Sequence, residues 1–142
     1  MTKKAWAVWK GGIKSGGGTF STDTGVLDAA PFGYSARFED GKGTNPEELI
    51  AAALTSCFSM TFSRMLGEAG LTPEKIEARA DVTLENIGAI LKITAIHLTV
   101  SARIPGTDNA KFQHIANMAK TGCPVSLLLK AARITMDATF EA

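Results

Sequence analysis

Residues 43–70, GTNPEELIAAALTSCFSMTFSRMLGEAG, decide the fold. Asn45 stands at an N-cap, Pro46 at the first helical position and Glu48 at the third in a capping-box arrangement. A helix is therefore predicted from Pro46 to about Ala69, ending near Gly70. Between Leu49 and Ser63 there is no charge, and Leu49, Ile50, Ala53, Leu54, Cys57, Phe58, Met60 and Phe62 cover nearly every face. Such a helix is predicted to be buried all round. Fifteen uncharged residues that include Thr55, Ser56, Ser59, Thr61 and Ser63 are too few and too polar for a bilayer crossing, which takes about 20. Protein must enclose it.

Upstream, AWAVW at 5–9 reads as a short strand, and the glycine-rich GGIKSGGG at 11–18 as a turn into the extended TFSTDTG. The glycines lack both a GK[ST] ending and a following helix, so a hairpin is predicted rather than a phosphate loop. YSARFED at 34–40 is predicted as a third strand.

Downstream, IEARADVTLE alternates, with Ile76, Ala78, Ala80, Val82 and Leu84 on one face. In LKITAIHLTVSAR the apolar parity is odd through Ala95 and even from Ile96, which predicts a bulge or bend near that junction. A helix follows from Asp108, with Phe112, Ile115, Ala116 and Ala119 at helical spacing, and stops at Gly122. Cys123 and Pro124 open a short apolar helix, and ITMDATFEA closes the chain as a strand with Ile134, Met136, Ala138 and Phe140 facing in. Strands and helices are segregated rather than alternating, so the class is α+β.

The 142 residues fit one domain, 1–142. A net charge of +1 without a basic stripe argues against nucleic-acid binding. MTKKAWAVWKGG contains no apolar signal-peptide core, so a cytoplasmic protein with no membrane association is expected. Two cysteines in such a compartment are a poor case for a structural staple. Their separation, without CxxC or clustered histidines, matches no metal site, and no cofactor is expected. His97 and His114 fall on polar faces and are expected at the surface, and Trp6 and Trp9 read as core or interface aromatics.

The residues alone leave both cysteines open. Cys57 can pack beside Leu54 and Phe58 as a small hydrophobe, or react. Cys123, between Gly122 and Pro124 at a predicted helix N-terminus, is either an incidental cap or a thiol in a place that favours a thiolate.

Taken together, GTNPEELIAAALTSCFSM at 43–60, GCPVSLLLK at 122–130 and the separation of Cys57 from Cys123 resemble the OsmC/Ohr family, over essentially the whole chain. The resemblance implies an OsmC-like fold, with curved antiparallel sheets around a long buried central helix carrying Cys57, in an intertwined dimer with sites at the interface. It implies a thiol peroxidase in which Cys57 attacks the peroxide and Cys123 resolves it, with Glu47, directly after Asn45-Pro46, in the site. The family also places an arginine near the attacking thiol, from an early loop in one branch and from the strand before the NPEEL helix in the other. The early loop here offers only Lys10 and Lys14, and the first arginine is Arg37, so the chain resembles the OsmC branch and the resemblance implies Arg37 in the site. The departure is Thr55-Ser56 before Cys57, where small apolar residues are expected.

The chemistry is consistent with these types. A thiol at its ordinary pKa of about 8.5 is only a few per cent ionised at neutral pH, and burial makes that worse, so a fixed cation must offset it. Arginine can hold a carboxylate with one edge while another N–H faces the sulfur or peroxide. The expected partners are an organic hydroperoxide as substrate, favoured over hydrogen peroxide by apolar surroundings, and a dithiol reductant, with lipoyl-bearing proteins suggested by the resemblance. Glu47 and Cys57 lie ten residues apart, about 15 Å along a helix, so a site that uses both needs either a break in the helix, for which Leu49 to Ser56 gives no Pro or Gly, or a partner chain: a homodimer is expected. The rival reading is a non-catalytic stress-related or ligand-binding α+β protein with inert cysteines. A disulfide reductase or isomerase of other proteins ranks behind it.

Overall fold

The glycine-rich hairpin is formed by β1 (Ala5–Lys10) and β2 (Gly17–Thr22), paired antiparallel from Ala5 opposite Thr22 to Lys10 opposite Gly17. The computed structural model describes all 142 residues. It divides the chain into two compact units, Met1–Leu49 and Ile50–Ala142.

In the first unit β3 (Ala30–Phe32) completes a three-stranded antiparallel sheet in the order β1-β2-β3. Phe32 packs on Trp9 and Phe20 with ring centroids 5.7 and 6.0 Å apart, directly over Gly18, where a Cβ would stand 2.5 Å from the Phe32 ring. Gly18 is therefore small because an aromatic lies on it. All six residues of β1 are exposed, Trp6 at 55% and Val8 at 50%, although AWAVW is wholly apolar.

The third strand lies earlier than predicted, because Tyr34–Phe38 is a short helix, α1. Alternation of Tyr34, Ala36 and Phe38 suits a strand, but Tyr34 and Phe38 are also one helical turn apart, and their rings stack with centroids 4.9 Å apart. The Arg37 N–H donates to Gly33 O, which closes that turn.

The long helix α2 (Pro46–Glu68) begins at the predicted proline. The Glu48 N–H donates to Asn45 Oδ1 at 2.8 Å, as capping demands, but the Glu48 carboxylate takes the Thr44 hydroxyl instead of reaching back to Asn45.

In the second unit β4 (Lys75–Ile87), β5 (Ile90–Arg103) and β6 (Arg133–Glu141) form a sheet in that order. The predicted phase change is a register shift: Thr83 pairs with Ala95 but Leu84 pairs with Ile93, so Thr94 is the extra residue of β5, just before the expected junction. The sheet is mixed rather than antiparallel, because β6 pairs parallel to β5. It follows the crossing made by α3 (Asn109–Gly122) and α4 (Pro124–Leu128), the kind of connection a parallel neighbour needs. Asp108 caps α3 by accepting from the Lys111 N–H at 2.8 Å.

The core of this unit joins Leu54, Phe58, Phe62 and Leu66 of α2 to Ile96, Leu98, Val100 and Ala102 of β5 and to Phe112, Ile115, Ala116 and Ala119 of α3. Phe58, Phe62, Phe112 and Phe140 form a continuous stack with successive centroids 5.5, 5.7 and 5.5 Å apart. Each fully buried phenylalanine contributes about 1.5–3 kcal/mol by burial.

Only one face of α2 enters this core. Ala52, Ala53, Ser56 and Ser63 are exposed and Met60 is 75% exposed, so within one chain the helix is not buried all round. Nothing in its composition distinguishes the face covered by its own chain from the other. By length and hydropathy α2 could cross a membrane, but its Leu54–Phe58–Phe62–Leu66 stripe is fully occupied by protein.

Candidate active site

In the first unit, Arg37 on α1 faces Glu47 in the first turn of α2. Arg37 Nε donates to both Glu47 carboxylate oxygens at 3.1 Å and Nη2 donates to Oε1 at 2.6 Å. Glu47 is buried and Arg37 is exposed, about a third of its side chain lying open. Asn45 fixes the geometry from both ends. Its Oδ1 caps α2, and its Nδ2 donates to Ala36 O at 2.9 Å, tying the turn that carries Arg37 to the helix start that carries Glu47. One guanidinium edge is engaged and Nη1 donates to no group of the chain, so it is free to face a ligand. Glu48 serves the cap instead, and Lys14 lies over the Tyr34 ring at 5.4 Å.

The same unit contains a pocket of about 190 Å³ lined by Ala7, Phe20, Phe32, Pro46 and Leu49, all apolar, beside the turn that holds Glu47.

In the second unit both thiols are free, Cys57 half-buried and Cys123 fully buried. Burial pushes the Cys57 thiol above its ordinary pKa. The Val125 backbone N–H acts in the opposite direction, the Cys123 thiol adds to the rise, and the Thr61 hydroxyl opposes it. None of these three groups carries a positive charge. The helical spacing explains Thr61, one turn beyond Cys57, while Val125 and Cys123 arrive together at the start of α4. Cys123 caps that helix: its Sγ accepts from the Ser126 N–H at 3.4 Å, and its S–H donates to Ser126 Oγ at 3.0 Å.

All four predicted site residues thus fall into two pairs, Arg37 with Glu47 and Cys57 with Cys123. Thr61, the Val125 N–H and Ser126 were not singled out from sequence. A hydroxyl four residues after Cys57 and one three residues after Cys123 were the available signals, and both resemble ordinary helix polar residues. Thr55 and Ser56 do not affect the sulfur through their hydroxyls, which donate to the α2 carbonyls of Ala51, Ala52 and Ala53. His97 is partly exposed, as predicted for its strand phase, and bonds Thr135 Oγ1 at 2.6 Å and Asp137 Oδ2 at 3.0 Å; His114 is exposed.

A family model described as OsmC-like protein matches residues 39–138. The chain is 53% identical over 135 residues to peroxiredoxin OsmC of Escherichia coli (strain K12), covering 95% of this chain and 94% of that one. It is 30% identical over 125 residues to the organic hydroperoxide resistance protein OhrB of Bacillus subtilis (strain 168), covering 87% and 88%. The crystal structure of B. subtilis OhrB aligns with a TM-score of 0.68 over 97% of this chain and 98% of that one, at 24% identity. That of an OsmC-like protein from Mycoplasma pneumoniae aligns with a TM-score of 0.79 over 100% and 99%, at 15% identity. At such identities the two structures speak for the fold alone.

Proposed function

The chain belongs to the OsmC-like protein family and is a thiol peroxidase, and on that premise we propose that Cys57 attacks organic hydroperoxides and Cys123 resolves the product. The observation that carries the assignment is that two free thiols 66 residues apart in sequence meet closely enough for Cys123 to act on the ionisation of Cys57. The Cys57 thiolate attacks the distal peroxide oxygen, the O–O bond breaks, and the departing alkoxide takes a proton and leaves as the alcohol. Cys57 is left as a sulfenic acid. Cys123 then attacks the Cys57 sulfur; its own proton leaves with the sulfenic hydroxyl as water, and a Cys57–Cys123 disulfide remains. A dithiol reductant, with lipoyl-bearing proteins as the class to test first, returns both thiols.

The cation this chemistry needs is Arg37, held by Glu47 on one edge with Nη1 free for the peroxide or the sulfur. Arg37 and Glu47 serve the Cys57 of a partner chain in a homodimer. In support, α2 is unbroken from Glu47 to Cys57, about 15 Å of axial rise, and no cation is among the three groups that tune Cys57. The bare face of α2 and the uncovered β1 offer the surface a second copy would bury. The all-apolar pocket beside Pro46 suits the tail of an alkyl or aryl hydroperoxide. The protein works in the cytoplasm on this reading. The test is consumption of cumene hydroperoxide and hydrogen peroxide side by side with a monothiol and a dithiol as reductant. Faster turnover of cumene hydroperoxide with the dithiol is expected, and no turnover of either peroxide would overturn the reading.

A further inference from the structure

Ser126 lies in the second unit, 2% exposed, on the turn that follows Cys123. Two of its groups bond the same sulfur: the hydroxyl oxygen accepts the Cys123 S–H at 3.0 Å, and the backbone N–H donates to Cys123 Sγ at 3.4 Å. The hydroxyl's own hydrogen has no acceptor among the hydrogen bonds of the chain. A serine hydroxyl both donates and accepts and can rotate between the two roles without moving its oxygen. Cys123 itself has no exposure, so a thiolate formed there has no water to stabilise it and depends on donors already in place.

We infer that Ser126 is a positioning residue for the second half of the catalytic cycle: its hydroxyl accepts from the Cys123 thiol in the reduced chain and turns to donate to the Cys123 thiolate when the Cys57–Cys123 disulfide opens. This rests on the peroxidase reading. A dithiol reductant has access to the half-buried Cys57 sulfur and none to the fully buried Cys123 sulfur. Its thiolate attacks Cys57, the S–S bond breaks, and Cys123 leaves with the electron pair to receive two hydrogen bonds from Ser126, one from O–H and one from N–H. The second thiol of the reductant then displaces Cys57 as a thiolate, the reductant departs as its own disulfide, and the proton of that second thiol passes to Cys123. The leaving sulfur in thiol–disulfide exchange departs faster when its thiolate is better stabilised. Ser126 thereby sets the rate of recycling.

Two measurements test this. In a Cys57→Ser chain, thiolate absorbance is followed against pH with Ser126 present and after Ser126→Ala. The midpoint for Cys123 is expected to rise by about one pH unit, the tenfold effect of one hydrogen bond to a charged sulfur. This titration needs no peroxide turnover, so failure of Cys57 to react with peroxide would sink the peroxidase reading while the midpoint still decides the role of Ser126. In the otherwise unchanged chain, oxidised to the disulfide with diamide, reduction by dithiothreitol is expected to slow about tenfold on Ser126→Ala. Ser126→Thr, which keeps the hydroxyl, is expected to recover most of the rate. An unshifted Cys123 midpoint, an unchanged reduction rate, or a Ser126→Thr chain as slow as Ser126→Ala would each overturn the inference.

Discussion

Arg37 grips both carboxylate oxygens of Glu47 through Nε at 3.1 Å, closes the fork with Nη2 at 2.6 Å, and leaves Nη1 without a partner in its own chain. A planar group with one engaged edge and one free corner does two tasks at once. It is oriented by the buried carboxylate, and on the proposed reading its free N–H is the donor that meets the developing negative charge.

Arg37→Lys keeps the charge and loses this geometry, because an ammonium cannot span both oxygens and still aim a further donor in a set direction. Peroxidase activity toward cumene hydroperoxide is expected to fall on the order of 10²-fold, the usual cost of removing one oriented donor from a developing anion. Steady-state kinetics decides the point: near-parent turnover would reduce Arg37 to a point charge or remove it from the site.

The two cysteines are expected to fail differently. Cys57→Ser abolishes turnover, whereas Cys123→Ser permits one stoichiometric reaction that stops at a sulfenic acid on Cys57, since the thiol that would condense with it is gone. Mass spectrometry of the Cys123→Ser protein after one equivalent of hydroperoxide should find a single added oxygen on Cys57. Oxidation confined to another residue would refute the assignment.

Much of the candidate site was legible because the NPEE start and the GCP run at 122–124 are local strings, and local strings survive as local structure: Asn45 caps, Pro46 begins the helix and Cys123 caps a later one. Tyr34–Phe38 was not legible, because apolar residues at 34, 36 and 38 satisfy a strand by alternation and a helical turn through the 34/38 pair. Tertiary bonds such as Asn45 Nδ2 to Ala36 O, which period-counting cannot contain, help settle the choice. The parallel pairing of β6 escaped for a similar reason, since alternation of Ile134, Met136, Ala138 and Phe140 identifies a face and not a neighbour. The bare side of α2 was hidden by its uniformity: an apolar helix says that it must be covered, not by which chain.

The phenylalanine stack is the main anchor of the second unit. Phe112, with no exposure, lies between Phe62 at 5.7 Å and Phe140 at 5.5 Å, so it joins α3 to both α2 and β6. Phe112→Ala should cost about 3–5 kcal/mol of stability through lost burial and the cavity left behind. Urea denaturation followed by circular dichroism measures it; a loss under about 1 kcal/mol would mean that the core collapses around the gap.

The raised pKa of Cys57 has a pH signature. Burial is its main cause and Arg37 is not among the groups that act on it within one chain, so the folded chain holds the thiol proton more tightly than the unfolded state does. The stability this contributes is present below the ordinary thiol pKa and is lost as pH rises through the elevated one. In an Arg37→Ala protein the thermal midpoint should therefore fall with rising pH across the thiol range, and Cys57→Ser in that background should remove this part of the slope. With Arg37 present, alkylation of Cys57 should extend to lower pH than in Arg37→Ala. Identical alkylation profiles for the two proteins would detach Arg37 from the thiol.

The last prediction concerns the sharing of sites between chains. Glu47 and Cys57 occupy one unbroken helix about 15 Å apart along its axis, no cation is among the three groups that tune Cys57, and Met60, one turn beyond Ser56, is 75% exposed on the bare face. A second copy laid on that face would cover Met60 and could bring its own Arg37 and Glu47 to this Cys57. Cys57→Ser and Glu47→Ala proteins, each inactive alone, should then regain activity when refolded together. Each mixed dimer carries one site with both an intact Glu47 and an intact Cys57. Random pairing makes half of the dimers mixed, with one good site of two, so recovery should approach about a quarter of parent activity for a binomial two-fold assembly. Met60→Glu supplies the converse. A carboxylate on an exposed helix face is cheap in a lone chain and costly if the face is covered, so this protein should sediment as a monomer and lose peroxidase activity while keeping its helical circular dichroism. Absence of recovery in the mixed refolding, or a fully active monomeric Met60→Glu protein, would confine the site to a single chain and leave the peroxidase chemistry of Cys57 and Cys123 to stand without a partner.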